Sequence, residues 1–348
     1  MKLIIDITPP SEELKKVIMQ KNQIYIHRNI IYGIAICLFT ANLFIIGCAT
    51  TTTTPQSPIF NLIRNPCDNW TIDTTKPYIQ EEISYRLEMV SGKLIVKNDV
   101  GSIYISKSPD ENLHVRSKKF ALSEADLQKI QLKASQVEEK QIEITVHYWN
   151  TSDSLIGFNQ LEVLVPPTLS YLEIKTTAAD IQIDELEADL GIFNSCGENY
   201  IHQIDGDMDF QGEYGNIIID HGSGNIRISS TTGDIICETR IQPEKRYELF
   251  TKIGDIYFIP LDGGGKISVS TTIGSIDLGD QVIVEKKKTL SSLFDNAEMM
   301  GINEGIFLDH EKERLKTIGY TDNEIEGVLG AGSAKIDLET TNGNIYIK

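Results

Sequence analysis

The chain is poor in the residue types and motifs on which several large classes of protein depend. Its 6 histidines show neither an HExxH motif nor another metal-ligand spacing. No P-loop or Gly-x-Ser-x-Gly sequence is present, so the common phosphate-binding and serine-hydrolase motifs are excluded. Lysine and arginine total 32 against 50 acidic residues, which gives a net charge of -18. Nucleic-acid-binding proteins usually carry an excess of basic residues, and this chain has the opposite balance. We therefore predict no nucleic-acid partner and no cofactor.

The sequence is rich, by contrast, in a short repeat between residues 179 and 234. A small residue followed by an acidic or amide residue recurs every nine positions, and such a pair favours a tight corner. Apolar residues then alternate with polar ones, as Ile226 and Ile228 do around Arg227, which predicts a strand with an inward apolar face. Two units complete an 18-residue coil, so the repeat predicts an all-β fold, a β-solenoid of nine-residue strand-turn units. The corners begin at Ala179, Ala188, Gly197, Gly206, Gly215, Gly224 and Gly233.

Less regular segments flank this repeat. Alternating patterns from Ile83 onward predict further strands, and Ser123 begins a sequence that favours either a short capped helix or more strand. Corners at Gly254 and Gly274 follow at wider spacing, which predicts small loops between the units. The repeat resumes only in 335–347, which we interpret as a last rung added at the end of the array.

Residues 280–332 lose the repeat and are predicted to be an inserted helical or irregular segment. Helical patterns cover 309–317 and 321–329. Thr321 and Glu324 have the spacing of a capping box, and Gly330 is a suitable helix stop. We predict a β-solenoid domain over 83–348 that carries this insertion.

The N-terminal segment predicts export. Residues 1–28 carry a net charge of +2 and lead into the uncharged run 29–47, which ends in Ile45-Ile46-Gly47-Cys48. This end resembles the lipobox of a bacterial lipoprotein signal peptide, so we predict a signal peptide over 1–47 and lipidation of Cys48. Met19 is the alternative start of this signal peptide. The resemblance implies diacylglycerol and then an N-acyl group on Cys48. With Ala49 next, it also implies the outer membrane in a diderm bacterium. An uncleaved signal anchor is the alternative, since about 18 apolar residues can span a bilayer.

Residues 48–82 are predicted to be a tether that holds the domain off the membrane. Five consecutive threonines, 50–54, are followed by Pro55, Pro58 and Pro66, and such a composition buries too little apolar surface to fold alone. From Cys48 onward the net charge is -20. This charge favours solubility and disfavours binding to anionic headgroups.

The chain from about Ile83 to Lys348 resembles a family of bacterial putative adhesins. The resemblance rests on the repeated Gly-[Asp/Asn/Ser]-Ile units, on Val163-Leu164-Val165-Pro166 before the array, and on the closing Thr-Thr-Asn-Gly-Asn-Ile sequence. It implies a β-solenoid fold in a cell-envelope setting, without an established enzymatic activity.

Two kinds of site were weighed on the acidic residues of the repeat. A carbohydrate-active β-helix would use carboxylates such as Asp207, Asp209, Asp220 and Asp234, but their positions favour corners and solvated faces. Calcium binding at the corners is a second possibility. Each unit has only one small residue, and some corners carry amides, as at Asn216 and Asn225, so we interpret the corners as plain turn ladders. We predict no catalytic residue and no metal site.

The cysteines divide by position. Cys37 lies in the hydrophobic run, and Cys48 is the predicted lipidation site. The other three cysteines are Cys67, Cys196 and Cys237. Cys237 occupies an inward strand position, where a thiol behaves as a small buried hydrophobe. A disulfide between Cys196 and Cys237 is possible in an exported protein, but we favour unpaired thiols.

Taken together, these patterns predict an exported, membrane-anchored envelope lipoprotein that binds or scaffolds without catalysis. Its partners would be the membrane, through the lipid, and a glycan or an envelope or surface protein. That partner would contact rows of outward side chains such as Arg227, Ser229 and Thr231. The alternatives are a purely structural envelope protein and a carbohydrate-active enzyme.

Overall fold

The computed structural model describes residues 78–88, 92–138, 140–148, 157–288 and 323–348, which all lie in one compact unit, Asn65–Lys348. This described part is all-β apart from one helix of four residues. It contains no helix long and apolar enough to cross a membrane. The predicted signal peptide, Cys48 and the helical pattern at 309–317 lie outside it. Strand β1 begins at Ile79, so the β-region extends into the range predicted as tether.

The described residues form 22 strands and the short helix α1, Glu124–Leu127. The strands up to the regular repeat are β1 Ile79–Glu88, β2 Gly92–Asn98, β3 Val100–Lys107, β4 Asn112–Ala121, β5 Ile130–Glu138, β6 Gln141–Tyr148, β7 Gly157–Val165 and β8 Leu169–Leu186. Those of the repeat are β9 Asp189–Cys196, β10 Asn199–Asp205, β11 Met208–Tyr214, β12 Ile217–Ser223, β13 Ile226–Thr232 and β14 Ile235–Arg240. The remaining strands are β15 Arg246–Ile253, β16 Ile256–Asp262, β17 Gly265–Ile273, β18 Ile276–Leu278, β19 Val282–Lys288, β20 Asn323–Leu329, β21 Ala334–Asn342 and β22 Ile345–Ile347.

The strands pair in two series, which we call series A and series B. Strand β8 is 18 residues long, and its first half belongs to series A and its second half to series B. The order in series A is β5, β6, β2, β8, β9, β11, β13, β15, β21, β17, β20 and β19. The order in series B is β1, β4, β7, β3, β8, β10, β12, β14, β16, β22 and β18.

The regular part of both series is parallel, with an 18-residue register. In series B, Ile181 pairs with Asn199, Asn199 with Ile217, and Ile217 with Ile235. Two nine-residue units therefore separate each residue from its partner, as the spacing of the corners predicts. The pairing aligns like positions of successive units, so the apolar residues form continuous inward rows.

Inward rows from both series form a single hydrophobic core cluster. Ile226 and Cys237 are buried, which confirms their predicted inward positions. The irregular first half shares this core through Leu94, Ile103 and Val163. Ser123 caps helix α1 by accepting a hydrogen bond from the Asp126 amide at 3.2 Å, which confirms the predicted cap, and β5 follows as a strand.

Side chains at the corners bind the backbone of the corner two units further along the chain. The Glu198 amide donates to Asp180 Oδ1 at 2.9 Å, and the Asp207 amide donates to Asp189 Oδ1 at 2.9 Å. Charge-assisted bonds of this kind are stronger than neutral ones. The predicted turn ladders are therefore confirmed. Further links join Asp234 to Asn216, Asp255 to Asp234, Asn344 to Asp255, Ser275 to Asn344, Asn225 to Asp207 and Arg246 to Asn225.

A second link at the same corners is buried. Threonine hydroxyls in series A donate to the carbonyl oxygen of the corner glycine that follows a neighbouring strand. Because a buried carbonyl without a partner is costly, these hydroxyls stabilise the corners. The pairs are Thr251 with Gly233 at 3.0 Å, Thr340 with Gly254 at 2.9 Å, and Thr271 with Gly343 at 2.9 Å.

The prediction for the segment 280–332 is wrong where the structure describes it. Strand β20 replaces the helix predicted over 321–329, and it pairs antiparallel with β17 on one side and with β19 on the other. Ile325, Gly327 and Leu329 are buried and alternate with more accessible residues, which is a strand period. The open side of β17 supplied a pairing partner that outweighed the local helix signals.

The closing segment does not occupy the end of the array. We call two consecutive strands, one from each series, a rung. The rung β21–β22 lies between the rung β15–β16 and the rung β17–β18, with parallel pairing on both sides. The last residues of the chain are thus inserted between two rungs that precede them in sequence, which corrects the expected terminal position.

The two cysteines in the described part differ. Cys196 is disulfide-bonded and Cys237 is free, so neither a Cys196–Cys237 bond nor the favoured pair of unpaired thiols is present. Cys237 is fully buried between β12 and β16, and this burial raises the pKa of its thiol. It therefore acts as a core residue rather than as a reactive group.

We expect Ile226→Asp to unfold the array, because it places an unpaired carboxylate in the core at a cost of several kcal/mol. Thr231→Asp, on the exposed face of the same strand, is the matched control. Thermal unfolding followed by circular dichroism measures both variants. A melting temperature of Ile226→Asp within a degree of the parent would contradict the inward assignment.

We expect Gly343→Ala to destabilise the protein by about 1–3 kcal/mol, the usual cost of overpacking. A Cβ at Gly343 would overlap the carbonyl oxygen of Gly254 on the neighbouring rung. Chemical denaturation compares it with Asn342→Ala, whose side chain is exposed. If both variants unfold at the same denaturant concentration, the rung β21–β22 is not held between its two neighbours.

Candidate functional site

The outward face of series A carries two continuous rows of side chains. Arg227 and Ser229 lie on this face, as predicted, and Thr231 is also exposed on β13. Strand pairing aligns each row across seven neighbouring strands, β8 to β17. One row contains Glu173, Gly191, Asp209, Arg227, Glu248, Asp337 and Ser268. The other contains Lys175, Phe193, Gln211, Ser229, Phe250, Glu339 and Ser270.

A groove of about 590 Å³ crosses these rows around Phe193. Phe193 is 42% exposed, and among the described residues its ring is the one large apolar side chain in the lining of this groove. Polar side chains surround the ring, including the amide of Gln211 and the carboxylate of Glu213. The other lining residues are Lys97, Asp99, Lys175, Thr176, Thr177, Asn194, Ser195, Gly212 and Ser229.

Lys175 is held in place beside the ring. Its ammonium lies 5.7 Å from the centroid of Phe193 and forms an ion pair with Glu173, which also pairs with Lys93. Burial opposes ionisation of Glu173, but hydrogen bonds from Lys175 and Lys93 outweigh it and lower the pKa of the carboxyl. Glu173 therefore stays charged and fixes both lysines on this face.

The rim of the groove carries groups of both signs. Lys97 forms an ion pair with Glu143 at 3.0 Å, and this contact lowers the pKa of Glu143. Desolvation raises the pKa of Asp99, and the electrostatic effect of His147 partly opposes this rise. The groove thus combines one apolar ring with fixed charges, amides and hydroxyls.

A second groove of about 480 Å³ begins where the first one ends. Ser229 lines both, and the second groove continues across β15, β21 and β17. Phe250 supplies a half-buried ring there, two strands beyond Gln211 in the same row. Arg227 and Glu248 face each other at 3.8 Å on its edge. The two grooves together form one extended surface.

The four acids considered for catalysis occupy separate environments. Asp207 and Asp234 bind backbone amides at corners, and Asp209 lies in the row of Arg227. Asp220 is fully buried on series B, so its predicted place on a solvated face is wrong. Its side chain is covered by Tyr200 and His202, which lie 20 and 18 residues earlier in the sequence, and by the adjacent His221. The first two contacts can be predicted only when the register between the strands is known.

Sequence reasoning missed Phe193 and Lys175 as members of the surface. The available signal was the spacing, since Lys175, Phe193, Gln211 and Ser229 are each 18 positions apart. The two phenylalanines of this row, Phe193 and Phe250, stand at outward positions and mark the two grooves.

No protein-family model matches the chain, and no curated protein matches it. Among solved structures, the chain is similar to "a putative cell adhesion protein" from Clostridium sporogenes ATCC 15579, at 12% identity and a TM-score of 0.35, covering 78% of this chain and 99% of that one. It is also similar to "a putative adhesin" from Bacteroides fragilis NCTC 9343, at 11% identity and a TM-score of 0.35, covering 77% and 97%. A third, "a putative adhesin" from Parabacteroides merdae ATCC 43184, has 10% identity and a TM-score of 0.25, covering 77% and 96%. Membership of the adhesin family stays a prediction.

Proposed function

We propose that the protein is an exported envelope lipoprotein whose β-solenoid binds an extended glycan along the outward face of series A. Binding, rather than catalysis, is the function that this surface supports. The observation that carries the proposal is the exposed ring of Phe193 among fixed polar groups in a groove.

The solenoid part of the proposal rests on register and corners. Parallel pairing at 18 residues, together with one corner after every nine, corresponds to a chain that winds in successive coils. Coils stacked in this way keep each outward side chain directly above the next one. A surface of this kind suits a ligand with repeating units.

The chemistry of the groove favours a glycan. A pyranose ring has an apolar face of C–H groups that packs on an aromatic ring, and hydroxyls around its edge that both donate and accept hydrogen bonds. Phe193 supplies the ring, while Gln211 and Glu213 supply an amide and a carboxylate. Neighbouring strands lie about 4.8 Å apart, so the surface from β8 to β17 extends for about 29 Å.

The two alternative functions find less support. A carbohydrate-active enzyme needs two carboxylates on either side of one bond, and the four acids weighed from the sequence lie in separate environments. A purely structural protein does not need an exposed phenylalanine in a groove, which costs free energy when it stays in water. A protein partner at the same grooves is an outcome that the experiment below distinguishes.

We expect Phe193→Ala to weaken glycan binding by about tenfold or more, since a stacked ring contributes about 0.5–1.5 kcal/mol beyond its buried area. The full chain in detergent is applied to an array of bacterial and host polysaccharides, and the best ligand is then titrated by calorimetry. Tyr85→Ala is the matched control, because Tyr85 is 38% exposed on β1 in series B.

Equal loss of binding in both variants would show that the ring of Phe193 does not contact the glycan. The chain could instead bind no polysaccharide but bind an envelope protein, and lose that binding in Phe193→Ala. This result would show that the groove binds a protein and would contradict the glycan part of the proposal.

We expect the chain expressed in a diderm bacterium to mature to a form that begins at a lipid-modified Cys48. The reason is the lipobox-like sequence before Cys48. Intact mass and membrane partitioning are measured beside Cys48→Ala, which should lose both the lipid and the cleavage. An unprocessed chain that remains in the membrane equally well without Cys48 would indicate a signal anchor instead.

A further inference from the structure

A second group of chemically active side chains lies on series B, away from the glycan groove. Strand pairing aligns Asp184, His202, Asp220 and Glu238 in one row across β8, β10, β12 and β14. This row alternates with core positions such as Ile219 and Cys237, so it belongs to the other face of the strands. His202, Asp220 and Glu238 are nevertheless buried. Buried groups of this kind are rare unless they are paired or bind a metal ion.

Two imidazoles converge on the carboxylate of Asp220. His202 Nδ1 lies 3.1 Å from Asp220 Oδ2, and His221 Nδ1 lies 2.5 Å from Asp220 Oδ1. One ligand atom from each of the three residues lies within 4.8 Å of the other two. Glu238 Oε1 is a further carboxylate oxygen, 3.7 Å from His221 Nδ1. Nitrogen and oxygen donors therefore surround one point.

Neighbouring groups hold the carboxylate in position. The Tyr200 hydroxyl donates to Asp220 Oδ2 at 3.1 Å. Outer hydrogen bonds of this type orient the ligands of metal sites.

We propose that His202, Asp220 and His221 bind a divalent transition-metal ion, Zn²⁺ in the first place, at this point of series B. Imidazole nitrogen and carboxylate oxygen are ligands that zinc takes, and two histidines with one carboxylate is a known catalytic set. Three protein ligands leave at least one position for water or for a ligand atom.

The spacing of the donors fits such an ion. Tetrahedral zinc with bonds of about 2.0–2.1 Å places its ligand atoms about 3.3 Å apart. Among the proposed ligands, the contacts of 2.5 and 3.1 Å lie below that value, and the three ligand atoms lie within 4.8 Å of one another. The ion would replace the hydrogens that now bridge Nδ1 and carboxylate, and each neutral imidazole would carry its hydrogen on Nε2.

The cluster is reachable from solvent through His221. Its side chain is 41% exposed, and it lines a groove of about 280 Å³ with Asp205, Ser223 and Arg240. His202, in contrast, is buried, and its Nε2 has no hydrogen-bond partner among the described residues. An ion would therefore reach the cluster from the side of His221.

The experiment measures zinc binding by the full chain, purified in detergent without a histidine tag and stripped with a chelator. Competition with a chromophoric zinc chelator gives the stoichiometry and the dissociation constant. The wild type is expected to bind about one Zn²⁺ at this site. Co²⁺ in place of Zn²⁺ should show the visible absorption of a four- or five-coordinate ion.

His221→Asn is the test variant, because His221 has a φ of +63° and asparagine tolerates that conformation. It should lose more than about 100-fold in affinity, since loss of even an outer-shell partner costs about 10–100-fold. His114→Asn is the matched control, as His114 contacts Asp110 on another part of the chain. Circular dichroism checks that each variant is folded.

Zinc binding equal in the wild type and in folded His221→Asn would overturn the proposal. So would a wild type that binds no zinc, in which case hydrogens alone bridge these side chains, or an equal loss of affinity in folded His114→Asn. The zinc result is independent of the glycan result, because Phe193 lies on series A and the cluster on series B.

Discussion

The structure depends on a close backbone contact between the corners of neighbouring rungs. At one edge of the array, the carbonyl oxygen of each corner lies against the Cα of the corner on the next rung, where a Cβ would overlap it. The contact lets the rungs stack at the distance of strand hydrogen bonds while the chain turns. Glycine alone provides both the room and the positive φ found at several of these positions. The contacts follow the order Ala179, Gly197, Gly215, Gly233, Gly254, Gly343 and Gly274.

This constraint divides the side chains into two populations. Inward positions are mostly apolar, and several buried threonines bind a corner carbonyl, as Thr251 does. Outward positions are free to vary, and there the chemistry of the molecule is concentrated. Series A presents Phe193 and fixed charges in a groove, whereas series B buries Asp220 between two imidazoles. The array therefore presents two chemically different groups of side chains on its two series.

The order of the corner contacts also shows how the C-terminal part is assembled. Gly343 lies between Gly254 and Gly274, so the rung β17–β18 completes its pairing only when the last residues of the chain have been inserted. Strands β20 and β19 then extend series A beyond β17. Contacts between residues about 70 to 90 positions apart, such as Thr271 with Gly343 and Asn344 with Asp255, hold this region together. Pairing at such separation is entropically costly to form.

The period, the corners, the inward residues and the all-β class were predictable from the sequence. Each depends on interactions within one unit or on a strict spacing, as the burial of Ile226 and the ladder from Asp180 to Glu198 show. The position of β21 and β22, the strand at 323–329 and the burial of Asp220 were not predictable in this way. These features depend on which strand edges are open and on which side chains meet across them. Local propensity carries no information about either.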